Sequence, residues 1–208
     1  MAMTRPILKT MPDVLINPVH AFRSVSDASP AESWVYYFWL LSVFALGRIS
    51  LTVIGVEDPF LINGLSVAFI FFLTILVAGY LFLLFDTYIV NYVASLVGGK
   101  PQDHSAFRIL TYSATPALLF GWIPVIGIAG IFYSVILEII GLRELLGLTL
   151  PRAILVLVMG VIATTIITLA FYGVSYLNNP EFTPLAFTAL GLILFVIVVG
   201  SLRRELRV

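Results

Sequence analysis

"PFLINGLSVAFIFFLTILVAGYLFLLF", residues Pro59 to Phe85, contains no charged side chain. A straight helix needs about 20 apolar residues to cross a hydrocarbon core, at about 1.5 Å of rise each, so this run is long enough. The remainder of the chain is of the same kind. Of its 208 residues 61% are hydrophobic and only 11% charged, with a mean hydropathy of +1.10. A water-soluble domain of this length has no interior able to hide so much apolar surface, so lipid is the solvent for most of it.

Working outward, Trp34 to Ile54 is interrupted only by Arg48, and Ile109 to Leu137, Ala153 to Pro180 and Phe182 to Leu202 are charge-free. Inside the Ile109 to Leu137 run, "GWIP" at Gly121 to Pro124 reads as a turn, because proline restricts the residue before it and cannot donate from a helix interior. That makes two short helices forming a hairpin, either crossing fully or re-entering with the turn shielded by protein. The expected architecture is an all-α polytopic membrane bundle. Residues 1–33 form an N-terminal segment with a short interfacial amphipathic helix. Spans follow at about 34–54, 65–92, 105–121, 124–140 and 151–176, and residues 177–208 hold a sixth span and a basic tail.

Charge sets the orientation. Arg5, Lys9, Arg23, Lys100, Arg108, Arg143, Arg152, Arg203, Arg204 and Arg207 all fall on one side of this map, ten of the eleven basic residues, while Glu57, Asp58 and Glu181 mark the alternate loops. The positive-inside rule then places both termini in the cytoplasm. In the N-terminal segment, "INPVHAFRSV" (Ile16 to Val25) has Asn17 as N-cap and Pro18 at the first helical position. Val19, Phe22 and Val25 make a narrow apolar face, suited to the headgroup region or to docking a partner.

Ionisable residues inside spans are costly and are functional candidates by default. Arg48 sits toward the outer side, within snorkelling reach of the headgroups. Asp86 and Glu138 fall level with each other toward the cytoplasmic side. Asn91, His104, Arg108, Tyr112 and Arg143 lie at a similar level, predicting one cytoplasm-facing polar cluster of Asp86, Asn91, His104, Arg108, Tyr112, Glu138 and Arg143. Two readings stay open: the carboxylates pair with Arg108 and Arg143 as a structural lock, or the cluster binds a ligand or partner.

The chain has no cysteine and only His20 and His104 as histidines. It lacks H-E-x-x-H, G-x-S-x-G and G-x-x-x-x-G-K-[ST] patterns, so neither a catalytic residue, a metal site nor a bound cofactor is expected. Zero formal net charge removes the global basic field that recruits nucleic acid. "VGGK" (Val97 to Lys100) reads as a helix C-terminal glycine followed by a basic turn.

Together with "SLVGGKPQDHSAFRILTYSATPALL" (Ser95 to Leu119), "GWIPVIG" (Gly121 to Gly127) and "LEIIGLRELLGLTLPRA" (Leu137 to Ala153), the segment "INPVHAFRSV" resembles the Yip domain family of Ypt- or Rab-GTPase-interacting membrane proteins, in its prokaryotic branch. The resemblance covers roughly residues 14 to 175. It implies a five-span, non-enzymatic bundle related to trafficking factors that associate with Rab-type GTPases and with one another. By position Gly98, Gly99, Arg108, Tyr112, Pro116, Pro124, Gly141, Leu142, Arg143 and Ala153 match recurrent family residues, none of which carries a catalytic role.

The expected function is that of a membrane scaffold or interaction protein of a prokaryotic plasma membrane, in contact with lipids and with a protein partner or a second copy at its cytoplasmic face. The alternative is a small permease or lipid-handling protein, because interrupted helices beside buried acids line substrate paths in transporters.

Overall fold

A computed structural model describes residues 7–54, 65–100 and 104–178. Among them lie eight helices and no strand: α1 (Ile7–Ile16), α2 (Pro18–Ser24), α3 (Pro30–Val53), α4 (Leu65–Leu96), α5 (Ser105–Ser113), α6 (Thr115–Phe120), α7 (Ile126–Leu146) and α8 (Leu150–Asn178). The expected sixth span at 182–202 lies outside the described residues. Three helices, α3, α4 and α7, are long and apolar enough to cross a membrane, and the stretch Leu150–Ile166 of α8 is a shorter apolar run.

Local chemistry sets the ends. Helix α3 begins before the expected Trp34, because Ser29 and Glu32 form a capping box. The Glu32 N–H donates to Ser29 Oγ (3.2 Å) and the Ser29 N–H to the Glu32 carboxylate (3.1 Å), with Pro30 in the first turn. Such a cap contributes about 1 kcal/mol. Helix α4 continues to Leu96 and ends in a Schellman motif. Gly98 takes the left-handed conformation (φ 83°), its N–H reaches Ser95 O (3.4 Å), and the Gly99 N–H reaches Ala94 O (2.8 Å). The Lys100 N–H then bonds Leu146 O (3.3 Å), tying the ends of α4 and α7 together.

The hairpin is asymmetric. Its first arm breaks at Ala114 into α5 and α6, where Pro116 has no N–H to offer Tyr112 O. The Thr115 hydroxyl takes that carbonyl instead (2.6 Å), and the Ala117 N–H is received by Ser134 Oγ of the second arm (3.1 Å). The turn closes at Val125, whose φ of 68° and ψ of −54° with an Ile126 N–H to Pro124 O bond (2.8 Å) make a γ-turn of the strained type. The second arm, α7, runs unbroken past residue 140 to Leu146 and carries Gly141 in its interior.

Gly127, Gly130, Ser134, Leu137 and Gly141 recur at spacing three and four along α7, a small-residue face that lets neighbouring backbones approach closely. A Cβ at Gly130 would come within 2.6 Å of Pro116 O, and one at Gly141 within 2.9 Å of the Phe22 ring. Helices α1 and α2 form a strap against this face. Phe22 and Val25 are buried with Val14, Ala21, Tyr36, Leu40, Tyr112 and Leu137 in one cluster. Val19, expected on the same apolar face, is exposed. The N-terminal segment thus docks on its own chain. A second cluster, with Tyr37, Leu41, Leu83, Val90, Phe107, Leu142 and Val156, joins α3, α4, α5, α7 and α8.

Candidate functional site

Asp86 lies ten residues before the end of α4 and Glu138 eight residues before the end of α7, so both sit roughly 12 to 15 Å inside the bundle from the end where α4 meets α7. They line one cavity of about 220 Å³, together with Phe82, Val90 and Leu110 and, from α8, Leu157, Gly160, Val161, Thr164 and Thr165. Gly160 lets α8 approach α4, its nearest neighbour being Val90. Phe82 on α4 and Val161 on α8, both among its lining residues, are exposed. The Thr164 hydroxyl donates to Asp86 Oδ1 at 2.6 Å. Among the described residues no basic side chain lines the cavity.

The other expected cluster members lie elsewhere. Arg108 Nε donates to Ala28 O at 2.9 Å, holding α5 to the chain between strap and first span. Tyr112 is buried with its ring centroid 4.7 Å from that of Tyr36, whose hydroxyl hydrogen-bonds Thr115 Oγ1 at 2.9 Å. Spacing four puts Arg108 and Tyr112 on one face of α5. That face meets the strap, while Leu110, on the opposite side of the helix, meets the cavity. Arg143 is exposed in the last turn of α7, where its charge complements the helix dipole.

His104 caps α5 in the left-handed conformation (φ 61°) with no side-chain cap bond. Asn91 is absent from the cavity lining, and its buried Oδ1 has no hydrogen-bond partner among the described residues. The seven residues therefore divide. Asp86 and Glu138 share the cavity, Arg108 and Tyr112 belong to the strap side, and the pairing of carboxylates with Arg108 and Arg143 is not formed. The one ion pair among the described residues joins Arg23 Nε to Glu144 (2.7 Å), strap to α7.

Sequence reasoning missed Thr164 and Thr165. A polar pair in the otherwise apolar run 153–167 was the available signal. Among the described residues no three His, Cys, Asp or Glu side chains are grouped to hold a metal ion.

Apolar helices packed through glycine contacts, with the few ionisable groups turned inward or gathered at the ends, define an integral helical membrane protein. The family model of the Yip1 domain matches residues 13–172, and the chain belongs to that family. Its members are membrane proteins linked to trafficking-type roles and to Rab-type GTPases, and are not known as enzymes. Comparison with curated proteins and with solved structures gave no match.

Proposed function

We propose that this chain is a non-enzymatic, six-span scaffold or interaction protein of a prokaryotic plasma membrane, with the end that carries Arg23, Lys100, Arg143 and Arg152 facing the cytoplasm as its working surface. The observation that carries the reading is the convergence of these side chains, all exposed, from the strap, the α4 turn, α7 and α8 onto one end of a Yip1-domain bundle. A basic rim of this kind suits an acidic protein surface or anionic headgroups.

The test is affinity capture of the full chain in mild detergent. A defined protein partner, or a second copy, is expected with the native protein and lost with Arg143→Glu, which changes an exposed side chain. Arg108→Glu is a poorer probe because it also removes the bond to Ala28. Capture of nothing but chaperones, or capture indifferent to Arg143→Glu, counts against this reading.

A second reading, a small permease or lipid-handling protein, is favoured by the cavity. Two carboxylates with no basic side chain among the described lining residues leave room for a solute that brings positive charge or donors of its own. Reconstituted vesicles in which flux depends on Asp86 or Glu138 would support it, and equal flux from Asp86→Asn and Glu138→Gln removes it.

A further inference from the structure

Helix α1 does not lie on the bundle's end. It packs beside α6, and Leu15 O accepts a 2.6 Å hydrogen bond from the Tyr133 hydroxyl. Tyr133 stands thirteen residues before Leu146, roughly 20 Å from the end where α4 and α7 are tied. Met11, Leu118, Leu119 and Tyr133 border the same buried cluster. The inward face of α1 is thus apolar and seated at hydrocarbon depth.

Its outward side carries a polar stripe beside the exposed Pro12, Ile16 and Val19. Lys9, Asp13, Asn17 and His20 are all exposed, at spacing four, four and three, and continue into Arg23, paired with Glu144, at the bundle's end. Among the described residues no ion pair or side-chain hydrogen bond involves Lys9, Asp13 or His20, and Asn17 makes no side-chain cap bond. Acyl chains are a poor solvent for such a face. The first hairpin arm beside it, Ser105 to Phe120, reaches only about 24 Å, less than the roughly 30 Å hydrocarbon core. A polar stripe descending alongside a short arm draws headgroups and water inward.

We propose that the stripe Lys9, Asp13, Asn17 and His20 is a track for zwitterionic phospholipid headgroups, along which they pass between leaflets with their acyl chains remaining in the bilayer. Lys9 and Asp13 are one helical turn apart, so an ammonium side chain and a carboxylate face a lipid whose own headgroup carries a phosphate and an ammonium in tandem. The alternation of sign selects a zwitterion over a purely anionic headgroup. This activity is separate from the Asp86 and Glu138 cavity, which lies between α4 and α8, whereas the strap packs on α6 and α7.

The experiment is reconstitution of the purified full chain in phosphatidylcholine vesicles containing a trace of phosphatidylcholine with a dithionite-reducible fluorophore. The native protein is expected to expose inner-leaflet label to external dithionite. The double variant Lys9→Leu/Asp13→Leu should slow that exposure about tenfold or more. The swap Lys9→Asp/Asp13→Lys should retain it, because alternation is preserved. Both variants change exposed side chains, so detergent melting near that of the native protein shows that the fold survives. Inner-leaflet label that stays protected with native protein overturns the proposal, as does a double-leucine variant of native rate. An Asp13→Cys protein that forms disulfide-linked dimers in membranes also overturns it, by placing a second copy over the stripe. Loss of passage in Asp86→Asn/Glu138→Gln assigns the movement to the cavity instead, and equally overturns it.

Discussion

Helix α7 has two flanks built on opposite terms. Toward the strap, polar atoms are matched: Tyr133 to Leu15 O, Arg23 to Glu144, Ser134 to the Ala117 N–H, with glycines where backbone or the Phe22 ring comes close. Toward α4 and α8, Glu138 enters a cavity with Asp86, and the only side-chain hydrogen bond described there comes from Thr164. Close packing with satisfied groups is what a bundle needs to hold its shape. A carboxylate beside open volume adds no such stability, so the contrast separates the residues that hold the fold from those free to act.

The largest expected effect breaks the tight flank. Phe22→Ala empties a fully buried site over Gly141 and should cost about 3 to 5 kcal/mol, read as loss of folded protein in a denaturant titration of detergent-solubilised chain. A loss below about 1 kcal/mol, the size of an exposed-site change, would mean that the strap is loosely held. Next comes Gly130→Val, whose Cβ is driven against Pro116 O, an atom of the backbone that cannot rotate away. About 2 to 3 kcal/mol should be lost, and the same titration measures it.

The turn sharpens the comparison in the other direction. Val125→Gly removes a β-branched side chain from a left-handed φ and should raise stability by about 1 kcal/mol, visible as a higher melting temperature. Smallest is Glu138→Gln, which should leave stability within about 1 kcal/mol of native or raise it, since it removes a charge without a basic partner. A loss comparable to that of Phe22→Ala would make the loose flank structural and end the distinction.

Much of this was legible in the sequence. Charge-free runs located the apolar helices, "GWIP" located the turn, and "VGGK" announced the capped end of α4. "INPVHAFRSV" announced a helix starting at Pro18, though Asn17 makes no side-chain cap bond and the surface that receives the helix was not readable, because Phe22 meets Gly141 across more than a hundred residues of chain. The glycines at 127 and 130 lie inside the expected helix 124–140 and form the contact face of a continuous α7. Lipid supplies no water to break a helix for, so a glycine there can serve close approach without ending the helix.

The candidate site was only half legible for a geometric reason. Helical spacing grouped Arg108 with Tyr112 correctly, yet it cannot say which neighbour a face will meet. Arg108 turned to the carbonyl of Ala28, and the carboxylates were left without the cations that the sequence placed at their level. Thr164 entered from the uncharged run that follows Arg152 in α8 and so drew no notice. Helix α1 likewise escaped, since "ILKTMPDVLI" places a proline at Pro12 inside the run that becomes its helix.

The strap is also a statement about time. Its residues are made before the hairpin, since Tyr133 is 118 positions beyond Leu15 and Glu144 is 121 beyond Arg23. During synthesis Phe22 has no seat until the hairpin has been threaded into the bilayer, and contacts of such long separation form slowly. Closure of the strap therefore records that the hairpin is complete. A chain stalled before α7 carries an unseated aromatic helix at its front, the kind of surface that quality-control proteases and chaperones recognise.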